Sequence, residues 1–192
     1  MRFLPLALAI VALAACSKPE QPANNQVQPA AVEAGPQKGV DRSHKGKPAP
    51  DVIFTNPDGG DISLANFHGV PVLVNLWATW CAPCVKELPT LDRLAQAHDV
   101  DGELGVIAVS QDSGPHPSVV AFLGKLKIKD LGAYQDSKMG LSGALGAEVL
   151  PTSILIDAQG REVWRYVGDL DWTSPEAAKL LSEAGAPAAA KG

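Results

Sequence analysis

The sequence predicts a mixed α/β domain, a central sheet flanked by helices, with a β-hairpin at its N-terminal side and a β/α insert near its middle. Three observations predict it. Val70-Pro71-Val72-Leu73-Val74-Asn75-Leu76-Trp77 and Gly105-Val106-Ile107-Ala108-Val109-Ser110 are nearly continuous apolar runs of strand length, the pattern of strands covered on both faces. Between them Val85, Leu88, Leu91, Leu94 and Ala95 recur at helical spacing. Later, Val149 to Asp157, a Pro followed by a strand, and Arg161 to Val167 flank the tight turn Asp157-Ala158-Gln159-Gly160, a hairpin signature.

The remaining elements follow in order. Asp51 to Thr55 and Ile62 to Leu64 are short strands around the turn-rich Asn56-Pro57-Asp58-Gly59-Gly60-Asp61. Pro89 interrupts the first helix, so a kink is expected there. Gln111 to Pro117 is a loop, and a helix opens at Pro117 or Ser118 and runs to about Leu126. Asp130 to Gln135 supplies a short strand and Lys138 to Leu145 a Gly-weakened helix. Ser174 with Pro175 is an N-cap followed by a first-turn proline, which starts the last helix; it ends near Ala184-Gly185. Trp77 is expected in the core, and packing is the expected role of Trp164 and Trp172.

The chain of 192 residues is long enough for one domain plus extensions, and its 46% hydrophobic content supports a core of ordinary size. A net charge of −5 with no basic patch argues against nucleic acid as a partner. Met1-Arg2 followed by the apolar stretch Phe3 to Ala15 has the build of a secretory signal and is too short to span a bilayer. Ser17 to about Lys47 is rich in Pro, Gln, Ala and Asn and poor in large apolar residues, which suits a flexible tether. The expected division is therefore a signal over 1–15, a tether over 16–47, a folded domain over 48–185 and a disordered tail over 186–192.

Of three cysteines, Cys16 stands alone and Cys81 and Cys84 form a Cys-x-x-Cys pair in Trp80-Cys81-Ala82-Pro83-Cys84. A strand that delivers this pair to a helix N-terminus is suited to redox chemistry. The free helix N–H groups and the helix dipole favour a thiolate at Cys81, and Cys84, one turn further in, can attack a mixed disulfide formed there. The ammonium of Lys86 would add a little to that field. Half of a zinc site is the competing reading. Zinc needs about four ligands, and His44, His68, His98 and His116 are scattered without ligand spacing.

From about Lys47 to Gly185 the sequence resembles the thioredoxin superfamily, and within it the extracytoplasmic TlpA/ResA/CcmG (DsbE) thiol–disulfide oxidoreductases. The resemblance is carried by Asn75-Leu76-Trp77-Ala78-Thr79-Trp80-Cys81-Ala82-Pro83-Cys84, by Pro89 five residues after Cys84, by Pro151 in Leu-Pro-Thr, and by the extra β/α piece over about Ser113 to Leu145. Leu13-Ala14-Ala15-Cys16 likewise resembles the bacterial lipoprotein box, which implies a lipid on Cys16 and an envelope location facing the periplasm.

The resemblance implies a thioredoxin fold in which Pro151 is cis and faces the dithiol. Leu150 then offers backbone hydrogen bonds to a substrate segment, and Trp80 an apolar docking surface. Where thioredoxin has a buried Asp six residues before the first cysteine, this chain has Asn75, which cannot accept the proton. The family's acid three residues after the second cysteine falls at Glu87, on the same helix face as Cys84. The implied reaction is attack by Cys81 and resolution by Cys84 with Glu87 as proton acceptor, without an organic cofactor, in a monomer. The implied partners are a cysteine-containing protein in the periplasm, in cytochrome c or copper-centre maturation, and a membrane thiol electron donor. Two rival expectations are a thiol peroxidase, for which the proline four residues before Thr79 is missing at Asn75, and a copper chaperone holding the metal on Cys81 and Cys84, for which no His follows His116.

Overall fold

The computed structural model describes residues 37–99 and 103–184. The expected signal over 1–15, the lipidated Cys16, most of the tether and the tail over 186–192 lie outside the described residues. Among the described residues no helix is long and apolar enough to cross a membrane.

The described residues form eight strands in one sheet: β1 (Gly39–Asp41), β2 (Phe54–Thr55), β3 (Asp61–Ile62), β4 (Val72–Trp77), β5 (Gly105–Ser110), β6 (Ala133–Gln135), β7 (Thr152–Ile156) and β8 (Glu162–Val167). Their spatial order is β1-β8-β7-β4-β5-β6-β2-β3. The strands β4, β5 and β6 run parallel, while β7 and β8 return antiparallel on one side and the β2–β3 hairpin closes the other. Four helices connect them: α1 (Ala82–Asp99), α2 (His116–Lys125), α3 (Gly140–Leu145) and α4 (Pro175–Leu181).

The alternation of side chains along β4 explains the layering. Leu73 and Trp77 face one core, shared with Leu88 and Leu91 of α1, Val119 and Leu123 of α2, and Leu180 and Leu181 of α4. Val72, Val74 and Leu76 face the other, with Leu141 and Leu145 of α3 and Leu64 of a short 3-10 turn. Both faces of β4 are thus buried, as its unbroken apolar run predicts. Asn75 shares the period of Leu73 and Trp77, so a lone amide is carried into the core beneath α1.

Local chemistry fixes the ends of several elements. Ser174 Oγ accepts the Ala177 N–H at 3.2 Å and Pro175 occupies the first turn of α4. Asp136 caps α3, accepting from Gly140 at 3.0 Å and Leu141 at 2.8 Å. The β2–β3 turn is held by Asn56, whose Oδ1 accepts the Asp58 and Gly60 N–H groups, with Gly59 at φ +85. Helix α1 continues through Pro89.

The expected boundary between tether and domain near residue 47 is corrected. Residues 39–41 form β1 on β8, pairing Gly39 with Val167 and Asp41 with Arg165. Beyond it, Gly46 N–H donates to Glu162 O at 2.7 Å and Ala49 N–H to Gly160 O at 2.8 Å. Composition fails here because this segment is held by backbone pairing at a sheet edge rather than by buried side chains; Val40, its one large apolar residue, stays exposed.

Candidate active site

The parallel strands deliver their C-terminal ends to one rim of the sheet, the usual site of function in such folds. Trp77 ends β4, and the turn through Thr79 and Trp80 leads to Cys81. Asp112, just past β5, fastens this turn: it accepts from Thr79 N–H at 3.0 Å, Thr79 Oγ1 at 2.7 Å and Ser110 Oγ at 2.7 Å.

Cys81 stands at the N-cap of α1. Its carbonyl accepts the first helical hydrogen bond, from Val85 N–H at 3.0 Å. Its sulfur accepts the Cys84 N–H at 3.3 Å. The helix N-terminus therefore points a donor at the Cys81 sulfur, an arrangement that favours a thiolate there. The two cysteines are joined as a disulfide with Cα atoms 5.3 Å apart. Cys81 keeps 6% of its surface and Cys84 none, so both are buried and Cys81 is the less enclosed of the two. Trp80, 70% exposed, stands beside Cys81, whereas Trp77 is buried with its ring 5.9 Å from that of Phe122.

Register brings the second wall. Thr152 of β7 pairs with Leu76 of β4, so Pro151 lies beside the end of β4 and the motif that follows it. The Leu150–Pro151 bond is cis. Leu150 is half-buried and packs against both cores.

Glu87 lies one turn beyond Cys84 on α1 and is only 3% exposed. Its Oε1 accepts from Asn75 Nδ2 at 2.7 Å, and its Oε2 accepts from Leu170 N–H at 3.0 Å and Trp172 Nε1–H at 3.3 Å. Asn75 Nδ2 also donates to Ser153 Oγ at 2.9 Å, the residue directly opposite it on β7. Burial raises the Glu87 pKa to about 7, against the pull of these three donors and with a smaller push from the Asp169 charge. A carboxyl poised near neutrality is suited to exchange a proton at physiological pH.

Lys86 does not act on Cys81 as an isolated charge: its Nζ is 3.7 Å from Asp169, which also binds Lys38 at 2.7 Å. The Lys38 hydrogen bond holds the Asp169 carboxyl below its usual range. The sequence reading missed Ser153, Leu170, Asp169 and the polar role of Trp172. Asn75 carried a signal of its own, since a polar residue inside an apolar strand needs a partner. Trp164, as expected, packs in the core, with Nε1 donating to Leu180 O at 3.0 Å. Among the described residues no three His, Cys, Asp or Glu side chains are grouped to hold a metal ion.

The profile of the Redoxin family matches residues 44–181. The chain belongs to the Redoxin family. Within that family it is 34% identical over 124 residues to the thiol-disulfide oxidoreductase ResA of Bacillus thuringiensis (strain Al Hakam), a match covering 65% of this chain and 70% of the relative. Among solved structures, a candidate thiol:disulfide interchange protein DsbE from Chlorobium tepidum aligns with a TM-score of 0.64 at 25% identity, covering 73% of this chain and 98% of the other. StoA from Bacillus subtilis aligns with a TM-score of 0.56 at 28% identity, covering 71% and 98%. This Redoxin-family chain is thus a thiol–disulfide oxidoreductase of the TlpA/ResA/CcmG type, with a thioredoxin fold.

Proposed function

We propose that the protein is a lipid-tethered, periplasm-facing reductant of protein disulfides, acting in cytochrome c or copper-centre maturation. The observation that carries the chemistry is the pairing of Cys81, whose sulfur accepts a hydrogen bond at a helix N-terminus, with a fully buried Cys84 one turn from the buried Glu87. The Cys81 thiolate attacks a substrate disulfide, forming a Cys81–substrate bond and releasing one substrate sulfur, which takes a proton. Glu87 accepts the proton of Cys84. The Cys84 thiolate then attacks Cys81, and the Cys81–substrate bond breaks with its electron pair on the second substrate sulfur. The substrate gains two electrons and the Cys81–Cys84 disulfide forms; a membrane thiol donor returns it to the dithiol. Trp80, the ring of Pro151 and the backbone of Leu150 supply the docking edge. The dithiol itself is the redox group, with no organic cofactor, and the protein works as a monomer. The apolar run ending at Leu13-Ala14-Ala15-Cys16 supports lipidation and envelope location. Gly39–Asp41, within the stretch read as tether, pair with β8 of the domain.

The test is capture. A Cys84→Ser protein expressed in its native host should accumulate a mixed disulfide on Cys81 with a cysteine-pair protein of the envelope, identifiable by mass spectrometry. Recovery of cytosolic partners alone would contradict the location, and absence of any adduct would contradict the chemistry. Separately, Cys16→Ala should move the protein from the membrane fraction to the soluble envelope fraction; unchanged membrane association would remove the lipid anchor.

A further inference from the structure

The loop 168–172 between β8 and α4 takes no part in the chemistry of the motif, yet it supplies two of the three donors to Glu87. Trp172 is 2% exposed and belongs to the same core as Cys84, Leu88 and Leu91. It is docked on α1 at two points. Its backbone N–H donates to Thr90 Oγ1 at 3.2 Å, that hydroxyl donates to the Glu87 carbonyl at 2.8 Å, and its indole Nε1–H reaches the Glu87 carboxylate. An indole nitrogen only donates, so at this oxygen it favours the ionised carboxylate over a proton on the same atom. We propose that Trp172 is a positioning residue for the resolving step, its indole N–H holding Glu87 in the orientation and ionised form that accepts the Cys84 proton.

The proposal rests on Glu87 being the base of that step. All three partners of its oxygens donate as arranged, which favours the charged form; burial works against them. The other charged or titratable groups around Glu87 are Asp169 on the same loop, Lys38 beside β1 and Lys86 on α1, which both pair with Asp169, Tyr166 of β8, and the Cys84 thiol. Asp169 is thereby partly neutralised, so the balance at Glu87 lies between burial, which retains the proton, and the three donors, which favour its loss. Nothing in the sequence marks Trp172 for this role, since its position relative to Glu87 depends on how the loop returns over α1.

The test uses the full chain loaded on Cys81 with thionitrobenzoate, and follows release of the coloured thiol between pH 5 and 10. Loss of one donor to the carboxylate should raise the midpoint of the Trp172→Phe profile by about one pH unit. The rate at pH 7 should fall about fivefold and recover near pH 9, because the ionised fraction follows the midpoint. In a Glu87→Gln background the same substitution should leave the profile unchanged. A Trp172→Phe midpoint equal to wild type, with Glu87→Gln still abolishing the pH dependence, overturns the role of Trp172 alone. A wild-type profile in Glu87→Gln overturns the base assignment, and the proposal with it. Should Trp172→Phe fail to fold, the indole N–H resonance of Trp172 in the reduced wild type decides: it should titrate with the kinetic midpoint, and a resonance that does not move overturns the proposal.

Discussion

Cys81→Ser should reduce turnover of a disulfide substrate to background, a loss on the order of 10³-fold or more. The reason is ionisation. The Cys84 N–H and the start of α1 can stabilise a thiolate, but no such field brings a serine hydroxyl into its anionic form near neutral pH. Cys84→Ser should behave differently: Cys81 still attacks, and the reaction stops after one turnover as a stable mixed disulfide. The pair of outcomes separates nucleophile from resolving thiol, read by a turnover assay and by intact mass. Turnover within tenfold of wild type for Cys81→Ser would sink the assignment.

Glu87→Gln should flatten the pH dependence of stability between about pH 4.5 and 7. The folded pKa is raised from 4.5 to about 7, so the folded state holds this proton more tightly than the unfolded chain. Its relative contribution is fully present below 4.5 and lost as pH rises through 7. At 1.36 kcal/mol per unit, the wild type should lose about 3 kcal/mol across that window through this group. The lowered carboxyls, Asp41, Asp169 and Asp171, act in the opposite sense and below the ordinary 3.8, outside the window. Denaturant unfolding of both oxidised proteins at several pH values gives the difference directly; a constant difference from pH 5 to 8 would contradict the burial effect. Kinetically, the same substitution should slow resolution by Cys84 by about 10²-fold while sparing attack by Cys81.

What the sequence disclosed depended on how each feature is held. The strand over Gly105–Ser110 and the helix starting at Pro175 were legible to the residue, because a bounded apolar run and a Ser-Pro cap are local signals. The Cys-x-x-Cys pair, Glu87 and Pro151 were legible because they sit at fixed spacings from one another or within a family motif. The strand at Gly39–Asp41 was not, since its stabilisation lies in main-chain bonds to a strand more than a hundred residues away. The shell around Glu87 was only half legible. Asn75 betrays itself as an amide within an apolar strand, whereas Leu170 contributes a backbone N–H, which no side-chain pattern can signal. The hairpin strands are shorter than their apolar residues suggest, Phe54–Thr55 and Asp61–Ile62, because only those residues reach the ladder.

The loop 168–172 has a mechanical consequence. Its first residue, Gly168, donates to the carbonyl of Pro151 at 2.9 Å, and its third and fifth, Leu170 and Trp172, grip Glu87. Between them Asp169 ties down Lys38 and Lys86. One stretch of five residues therefore holds the main chain at Pro151, the carboxylate of Glu87 and two lysines at once.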